Sequence, residues 1–382
     1  MLTLRQLWRW VTYPPLVHWT RTPQILLLPL TGLYNSTMAL CERLIYGRRI
    51  AATRLEHPPL FVIGNWRSGT TLLHNLVSQD PQFTFPTMYQ TAFANHFLVT
   101  QNVVTRLTGR FMPRSRPMDN MPAGWDIPQE EDIAIAILCG ISPYMMLADP
   151  DRCEKVDKYW DLADVSPAEL NLWKSTYLRL LRRIALKDPE HRRLVLKSPV
   201  NTMRIPLLLE MFPGAQFVYI HRNPLDVFRS GVHLRRTMSA ENCLGRPQLP
   251  DIEEKVIASQ EQAYSIYLRD RSRIPQGDLV EIRFEDLEAD PLRELERVYS
   301  GLRLPNWELL RSILEPQVPS LKRYQKNVFD RDPEMLARVY ERLRFVFDEF
   351  DYAPPSEEAG APDGGPNRDE PAMAPRGALP ET

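Results

Sequence analysis

A short apolar run followed at once by a glycine-flanked loop is the feature that most limits the fold of this chain. Residues 60–63 are four consecutive apolar residues, typical of a fully buried β-strand. The loop that follows is Gly64-Asn65-Trp66-Arg67-Ser68-Gly69-Thr70-Thr71, and a helical period extends from Thr70 to about Ser78. Backbone N–H groups in such a turn, together with the N-terminus of the next helix, attract an anion. We therefore predict a phosphate-binding loop here.

Three further segments are predicted to be buried strands, each followed by a turn and a helix. They cover residues 193–196, 216–220 and 279–283. Buried strands that alternate with helices predict an α/β chain with a three-layer, P-loop-like fold around a central parallel sheet. Ligands of such folds bind at the carboxyl ends of the strands. Residues 80–190 are predicted to form a mainly helical insertion on the acceptor side.

The composition divides the chain into three parts. Residues 1–57 are predicted to be an amphipathic helical segment, residues 58–350 the main domain, and residues 351–382 a disordered tail rich in proline and glycine. The first fifty residues hold six arginines against one acid, with tryptophans between them. Two interpretations of this segment stay open: a helical pair packed on the domain, or a segment that lies on a membrane surface.

The totals argue against several classes of protein. A net charge of −1 gives no electrostatic footprint for nucleic acid as a partner. The four cysteines lie far apart, without a CxxC pair, so we predict neither a metal site nor a disulfide framework. This cysteine usage and the lack of a signal-peptide pattern favour a cytoplasmic protein. It would be either free or peripheral on the inner face of the membrane.

The first loop differs from that of a P-loop NTPase in its only cation. The spacing of Gly64 and Gly69 matches a nucleotide P-loop, but Thr70 stands where that motif requires lysine. Arg67, inside the loop, is its one cation. The loop suits one terminal anion better than a triphosphate. A nucleotide-dependent kinase stays open as an alternative that lacks its characteristic lysine.

Two more cations follow predicted strands. Lys197 ends the run at 193–196, and Arg222 follows the run at 216–220, with Ser230 two turns down the next helix. The carboxyl ends of parallel strands share one edge, so Arg67, Lys197 and Arg222 are predicted to concentrate positive charge in one cleft.

These motifs resemble the superfamily of sulfotransferases that use 3′-phosphoadenosine-5′-phosphosulfate (PAPS), in its bacterial, Golgi-like branch with arginine in the first loop. The resemblance covers about residues 58–330 and includes Val280-Glu281-Ile282-Arg283-Phe284-Glu285-Asp286-Leu287. It implies that PAPS is the donor and that a sulfuryl group moves to an acceptor hydroxyl.

The resemblance also implies roles for individual residues. Arg67 and Lys197 would stabilise the transferring group, and Arg222 and Ser230 would bind the 3′-phosphate. The 5′-phosphate would lie among Ser68, Gly69, Thr70 and Thr71. A late basic loop would add Tyr324 and Lys326 to the cofactor site.

The general base is the point at which the chain departs from the family pattern. Cytosolic members carry a catalytic histidine two residues after the lysine, where this chain has Pro199. An acceptor hydroxyl must still lose its proton. We therefore predict Glu130 as the base and Glu131 as the next candidate, with His74 and His96 weaker. The competing interpretation is that these acids only interact with a helix dipole. A catalytically silent PAPS-binding protein is the corresponding alternative function.

Aromatic residues and methionines crowd the presumed acceptor side. They are Met88, Tyr89, Phe93, Phe97, Met118, Met121, Trp125, Tyr144 and Met145. Such residues at helical spacing are also typical of a core. Together with the amphipathic N-terminus they favour a lipophilic alcohol, a lipid or a glycolipid as acceptor over a free sugar.

Overall fold

The structure is a computed structural model that describes residues 1–12, 18–111, 124–321 and 332–355. The predicted disordered tail lies almost entirely outside these residues. The α-helices of the described part are α1 Leu4–Thr12, α2 Thr22–Ala52, α3 Thr70–Val77, α4 Met88–Ala92, α5 Phe97–Thr108, α6 Glu131–Cys139, α7 Pro167–Lys187, α8 Ile205–Met211, α9 Pro224–Asn242, α10 Ile252–Asp270, α11 Phe284–Ala289, α12 Pro291–Gly301, α13 Trp307–Leu314, α14 Val318–Leu321 and α15 Pro333–Glu349. The 3₁₀ helices are Trp19–Arg21, Gly109–Phe111, Pro143–Leu147, Pro150–Tyr159, Pro199–Met203, Arg271–Arg273 and Glu315–Gln317.

A five-stranded parallel sheet forms the centre of the domain. Its strands are β1 Leu60–Gly64, β2 Phe83–Thr84, β3 Arg193–Lys197, β4 Gln216–His221 and β5 Leu279–Arg283. Their order across the sheet is β2-β3-β1-β4-β5, and all pairs are parallel. The predicted α/β fold is confirmed.

Two details of the sheet differ from the sequence prediction. The two-residue strand β2 was not predicted, since so short a run carries no periodicity. The strand β5 lies at an edge, where Ile282 alone of its five residues is fully buried. An edge strand lacks a neighbour on one side, so the expectation of complete burial was wrong for β5.

The side chains of β1 alternate between two cores. Phe61 and Ile63 point into the core that contains Trp173 of α7, whereas Leu60 and Val62 point into the core beside α3 and α12. This alternation follows from the two-residue period of a strand. Helices therefore cover both faces of the sheet, and its carboxyl edge is left for ligands.

The two N-terminal helices form a pair that packs on the domain. Helix α1 crosses α2 at Gly32, where an added Cβ would lie 2.5 Å from Cδ1 of Leu7. Helix α2 is fixed to the domain by Glu42, whose carboxylate lies 2.5 Å from the Arg183 guanidinium and accepts the backbone N–H of Leu98. Within the described residues, none of the helices combines the length and the apolar content of a membrane span.

Candidate active site

The loop between β1 and α3 is held in a fixed shape by its neighbours. The hydroxyl of Thr202 exchanges hydrogen bonds with the backbone of Gly64, at 2.8 Å to its nitrogen and 3.0 Å to its oxygen. The Ser68 hydroxyl donates to the Asn65 carbonyl at 2.8 Å. Gly69 has φ of 103°, and an added Cβ would lie 2.2 Å from the ring of Phe284. Only glycine fits there, so the loop can wrap tightly in front of the α3 N-terminus.

Arg67 occupies a backbone conformation that is unusual for a residue with a side chain. Its φ is 69°, in the left-handed region. Its Nε donates to the Ser230 hydroxyl at 2.7 Å, and Ser230 is buried on α9. The structure therefore brings together two predicted site residues that are 163 positions apart.

Arg222 lies beside this pair, at the carboxyl end of β4. Its guanidinium lies over the ring of Phe284, 4.6 Å from the centroid, and reaches Asp226 at 3.5 Å. Its Nε is buried and, among the described residues, has no hydrogen-bond partner. Helix α9 starts at once because Asn223 accepts the Leu225 N–H at 3.0 Å. An unpaired buried donor next to a helix N-terminus is suited to an anionic ligand.

Lys197 lies on the other side of the loop, at the end of β3. Only 2% of its side chain is exposed, and its Nζ lies 2.6 Å from Oε1 of Glu130. The same Nζ lies 3.3 Å from the Thr71 hydroxyl. A buried ammonium group requires such partners, since the loss of its hydration is costly. Lys197 thus joins the loop between β1 and α3, which we call the anion loop, to a carboxylate.

Tyr144 is a partner of this carboxylate that the sequence analysis did not identify. Its hydroxyl donates a hydrogen bond to Oε2 of Glu130. Burial raises the pKa of Tyr144 well above its usual value, and the negative charge of Glu130 adds to the effect. Tyr144 therefore stays a protonated donor. The sequence analysis placed it only among the acceptor-side residues, because no local spacing links positions 130 and 144.

The neighbouring acids face other partners. Glu131 is completely buried, and its Oε1 accepts hydrogen bonds from Tyr177 at 2.9 Å and from Asn201 at 2.6 Å. Burial raises the pKa of Glu131 to about 7. Asp132 forms a fully buried ion pair with Arg204 at 2.8 Å. These contacts tie α6 to α7 and to the segment after β3, whereas Glu130 alone of the three acids contacts Lys197.

The weaker candidates for a base are both buried. Burial and the charge of Lys197 lower the pKa of His74 to about 3. Burial lowers the pKa of His96 to about 4, and its ring contacts Asn35 of α2 at 2.9 Å. His96 therefore belongs to the attachment of the N-terminal helices. The predicted cofactor residues Tyr324 and Lys326 lie outside the described residues.

A cavity opens beside Glu130. Its wall is mainly apolar, and the aromatic and aliphatic members are Trp66, Ile133, Tyr144, Met146, Leu147, Pro150, Trp160, Leu234, Met238 and Val256. Such a lining is typical of sites for small organic ligands.

Most of the predicted acceptor-side residues are not in this wall. Of the described members of that set, Tyr144 alone lines the cavity. Tyr89, Phe93 and Trp125 instead pack on one another, with 4.5 Å between the ring centroids of Tyr89 and Phe93. Residues from α9 and α10, which are distant in the sequence, replace them.

The fold and the site together define a class of protein. The domain is P-loop-like, and its buried lysine–carboxylate pair lies between the anion loop and an apolar cavity. This arrangement suits group transfer between two bound substrates. The model of the family described as "Sulfotransferase family" matches residues 58–308, about two thirds of the chain. The chain belongs to this family. It is an enzyme that transfers a sulfuryl group to an acceptor hydroxyl.

Similar proteins agree with this assignment. The chain is 32% identical over 336 residues to the omega-hydroxy-beta-dihydromenaquinone-9 sulfotransferase Stf3 of Mycobacterium bovis, covering 88% of this chain and 86% of that protein. The protein of the same name from Mycobacterium tuberculosis matches equally. Among solved structures, sulfotransferase STF9 from Mycobacterium avium has a TM-score of 0.64 at 18% identity, over 83% of this chain and 82% of that one. That similarity supports the fold.

Proposed function

We propose that this enzyme moves the sulfuryl group of PAPS onto the hydroxyl of a lipophilic alcohol, with Glu130 as the general base. One observation carries the proposal. Glu130 bonds to Lys197 beside the anion loop and to Tyr144 in the wall of the apolar cavity. A donor on one side and an acceptor on the other would meet at this carboxylate.

The donor would lie along the carboxyl edge of the sheet. Ser68, Gly69, Thr70 and Thr71 would hold its 5′-phosphate, in front of the α3 N-terminus. The 3′-phosphate would take the free Nε of Arg222 and the hydroxyl of Ser230. The rigid loop and the buried donor described above fit a ligand with two separate anionic groups.

The chemistry requires one bond to form and one to break at sulfur. The acceptor oxygen attacks the sulfur atom, and the bond from sulfur to the 5′-phosphate oxygen breaks with its electron pair on that oxygen. Glu130 takes the hydroxyl proton. The products are a sulfate ester and 3′-phosphoadenosine 5′-phosphate. Lys197 and Arg67 would stabilise the negative charge that develops on the leaving oxygen.

The acceptor is proposed from the shape and lining of the cavity. An apolar wall of about ten side chains gains free energy mainly by removing apolar surface from water. Most of this wall cannot form hydrogen bonds with sugar hydroxyls, so a free sugar would gain less from it. The name of the relative Stf3 gives an omega-hydroxy menaquinone as its acceptor, which is an apolar molecule with a hydroxyl. We therefore place this enzyme's acceptor among lipophilic alcohols, lipids and glycolipids.

The proposal extends to organisation and location. Residues 58–350 would form the sulfotransferase domain, with residues 80–190 contributing to its acceptor side. Residues 1–57 would form an accessory segment, and residues 351–382 a disordered tail. The enzyme would be cytoplasmic and peripheral on the inner face of the membrane, where lipophilic alcohols are concentrated.

Calorimetric titration with 3′-phosphoadenosine 5′-phosphate, and with ADP for comparison, tests the donor. We expect the 3′-phosphate compound to bind at least about tenfold more tightly than ADP, from charge-assisted hydrogen bonds. Arg222→Ala should remove that preference. Arg236→Ala is the matched control, because Arg236 lies further along, on α9, and pairs with Glu253 at 2.5 Å. Equal binding of ADP and the 3′-phosphate compound by the wild type would refute PAPS as donor and favour the kinase alternative.

A further inference from the structure

One face of α2 is a stripe of uncovered leucines. Their exposed fractions range from 55% to 77%, and they are Leu26, Leu30, Leu33, Leu40 and Leu44. Spacings of three, four and seven residues place them on one side of the helix, over roughly 27 Å. Leu27 and Ile45 widen the stripe, at 56% and 62% exposed. We call these seven residues the leucine face.

The opposite side of α2 is already occupied. Gly32, Asn35, Glu42 and Ile50 are buried against α1 and the domain. The pair of Glu42 with Arg183 fixes the rotation of the helix about its own axis. The leucine face therefore points away from the domain, and apolar surface of this extent is a mark of an interaction site.

The charges around the leucine face select its partner. Arg43, Arg48 and Arg49 are exposed near one end, and Arg21 precedes the other. Residues 1–55 contain a single acid, the buried and paired Glu42. A second copy of this chain would bring arginines towards arginines with no carboxylate between them. A bilayer with anionic lipids offers both an apolar interior and negative charge.

Exposed tryptophans are a further property of this region. Trp8 of α1 and Trp19, just before α2, are 69% and 75% exposed. Tryptophan prefers the boundary between lipid headgroups and acyl chains. The N-terminal region thus combines exposed leucines, arginines and tryptophans. This composition matches that of a segment that lies in a membrane interface.

The start of α2 is joined to the wall of the acceptor cavity. The backbone N–H of His18 donates to the Leu244 carbonyl at 2.8 Å, and the Arg21 guanidinium donates to the Ala240 carbonyl at 3.1 Å. Met238 and Ser239, in the preceding turn of α9, line the cavity. One end of the leucine face is thus a neighbour of the cavity.

We propose that the leucine face docks on a bilayer that contains anionic lipids and presents the acceptor cavity to that bilayer. A lipid alcohol would then reach Glu130 from the membrane without crossing water. The first half of the proposal, docking on the bilayer, depends only on the exposed surface of the N-terminal helices. The second half, delivery of the acceptor to Glu130, rests on the proposed function.

Vesicle flotation without donor or acceptor tests the docking half. The probes are vesicles of phosphatidylcholine alone and of phosphatidylcholine with phosphatidylglycerol. We expect the wild type to float with the anionic vesicles, and less so at high salt, which screens the arginines. The double variant Leu30→Glu, Leu33→Glu should bind at least about tenfold more weakly, since two leucines no longer leave water.

The double variant Leu172→Glu, Leu309→Glu is the matched control. These leucines are 41% and 47% exposed, and they lie on α7 and α13. The control should float like the wild type. The proposal is overturned if both double variants float equally, or if the wild type does not float. The wild type could instead form a dimer in analytical ultracentrifugation and not float. If only the Leu30→Glu, Leu33→Glu variant disrupts that dimer, the leucine face binds a second copy of the chain.

Activity on two acceptors separates docking from the proposed chemistry. The Leu30→Glu, Leu33→Glu variant should keep wild-type sulfation of a short, water-soluble alcohol and lose at least about tenfold on a long-chain alcohol embedded in anionic vesicles. Equal loss on both alcohols would overturn the delivery half. If the wild type sulfates neither alcohol, the proposed function is overturned, and the delivery half with it. The docking half is still decided by the flotation experiment.

Discussion

The side-chain nitrogen of Lys197 lies 2.6 Å from Oε1 of Glu130, although 67 residues separate the two in the chain. Lys197 ends the strand β3, and Glu130 immediately precedes α6. The Glu130 side chain makes no capping bond to α6 and points to the lysine instead. The contact joins the anion loop to the acceptor cavity, so the pair is the structural basis of the first prediction.

Replacing Glu130 by Gln should lower kcat by about 10²–10⁴-fold, because the acceptor hydroxyl loses its base. Lys197→Ala should lower kcat by about 10²–10³-fold, because the charge on the leaving oxygen loses a stabilising partner. Transfer of radiolabelled sulfate from PAPS to a long-chain alcohol measures both. Binding of 3′-phosphoadenosine 5′-phosphate to Glu130→Gln should stay close to that of the wild type.

Glu131→Gln is the matched control for Glu130→Gln, since the same change is made one residue away. Glu131 contacts Tyr177 and Asn201, and both hydrogen bonds can be accepted by a glutamine. Its kcat should stay within about threefold of the wild type, as expected when transition-state contacts are unchanged. A loss for Glu131→Gln as large as that for Glu130→Gln would contradict the assignment of the base.

Tyr144→Phe tests the role of the hydroxyl as a positioning group. Without its hydrogen bond, the Glu130 carboxylate keeps only the contact with Lys197 to orient it, and we expect kcat to fall about tenfold. The KM for PAPS should not change, because Tyr144 lies on the cavity side of Glu130. Tyr159→Phe removes a comparable hydroxyl–carboxylate bond, to Glu169 at 3.1 Å, and serves as control. Steady-state kinetics that show a change only in KM would rule out positioning.

The sequence was sufficient for the fold and for the expectation that its strand-end cations lie along one edge of the sheet. Leu60–Ile63 and the glycine loop after it constrain the backbone locally, because a buried strand, a turn and a helix each carry their own pattern. Arg67, Lys197 and Arg222 could be placed at one edge because the ends of parallel strands converge. Those predictions follow from topology alone.

The acceptor side could not be predicted in the same way. Its wall joins Trp66 of the loop, Tyr144, Leu234 of α9 and Val256 of α10, and their proximity depends on how helices pack rather than on any local period. Tyr89 and Phe93 carry the same apolar signal in the sequence, yet they are core residues. Apolar spacing shows that a side chain leaves water, but not whether it contacts the core or a ligand.

The buried Glu131 predicts a dependence of stability on pH. Its pKa is about 7 in the folded protein, against an ordinary value of 4.5. Between these values the folded state keeps a proton that the unfolded state has released, so the free energy of unfolding falls as pH rises through this window. The contribution is about 3 kcal/mol at most. Because glutamine resembles the protonated acid, Glu131→Gln should be more stable than the wild type at about pH 8 and equal to it at about pH 4.5.

Urea unfolding at these two pH values measures the difference. Asp132→Asn provides the contrasting case, because Asp132 is ion-paired to the fully buried Arg204. Removing one charge of a buried pair is destabilising by about 3–5 kcal/mol. If Glu131→Gln and the wild type lose stability in parallel from acid to neutral pH, the proton is not held by Glu131.

Cys153 offers a direct probe of the acceptor cavity. It is a free, half-buried thiol in the cavity wall, whereas Cys41 is a free, half-buried thiol on α2. We expect a long-chain alcohol at about ten times its Kd to slow maleimide labelling of Cys153 about tenfold, because only about a tenth of the cavities stay empty. The rate of Cys41 labelling should not change. Both thiols are monitored by mass spectrometry in the same sample, which contains no vesicles. Equal protection of both thiols would indicate a global effect of the alcohol, and no protection of Cys153 would place the acceptor outside this cavity.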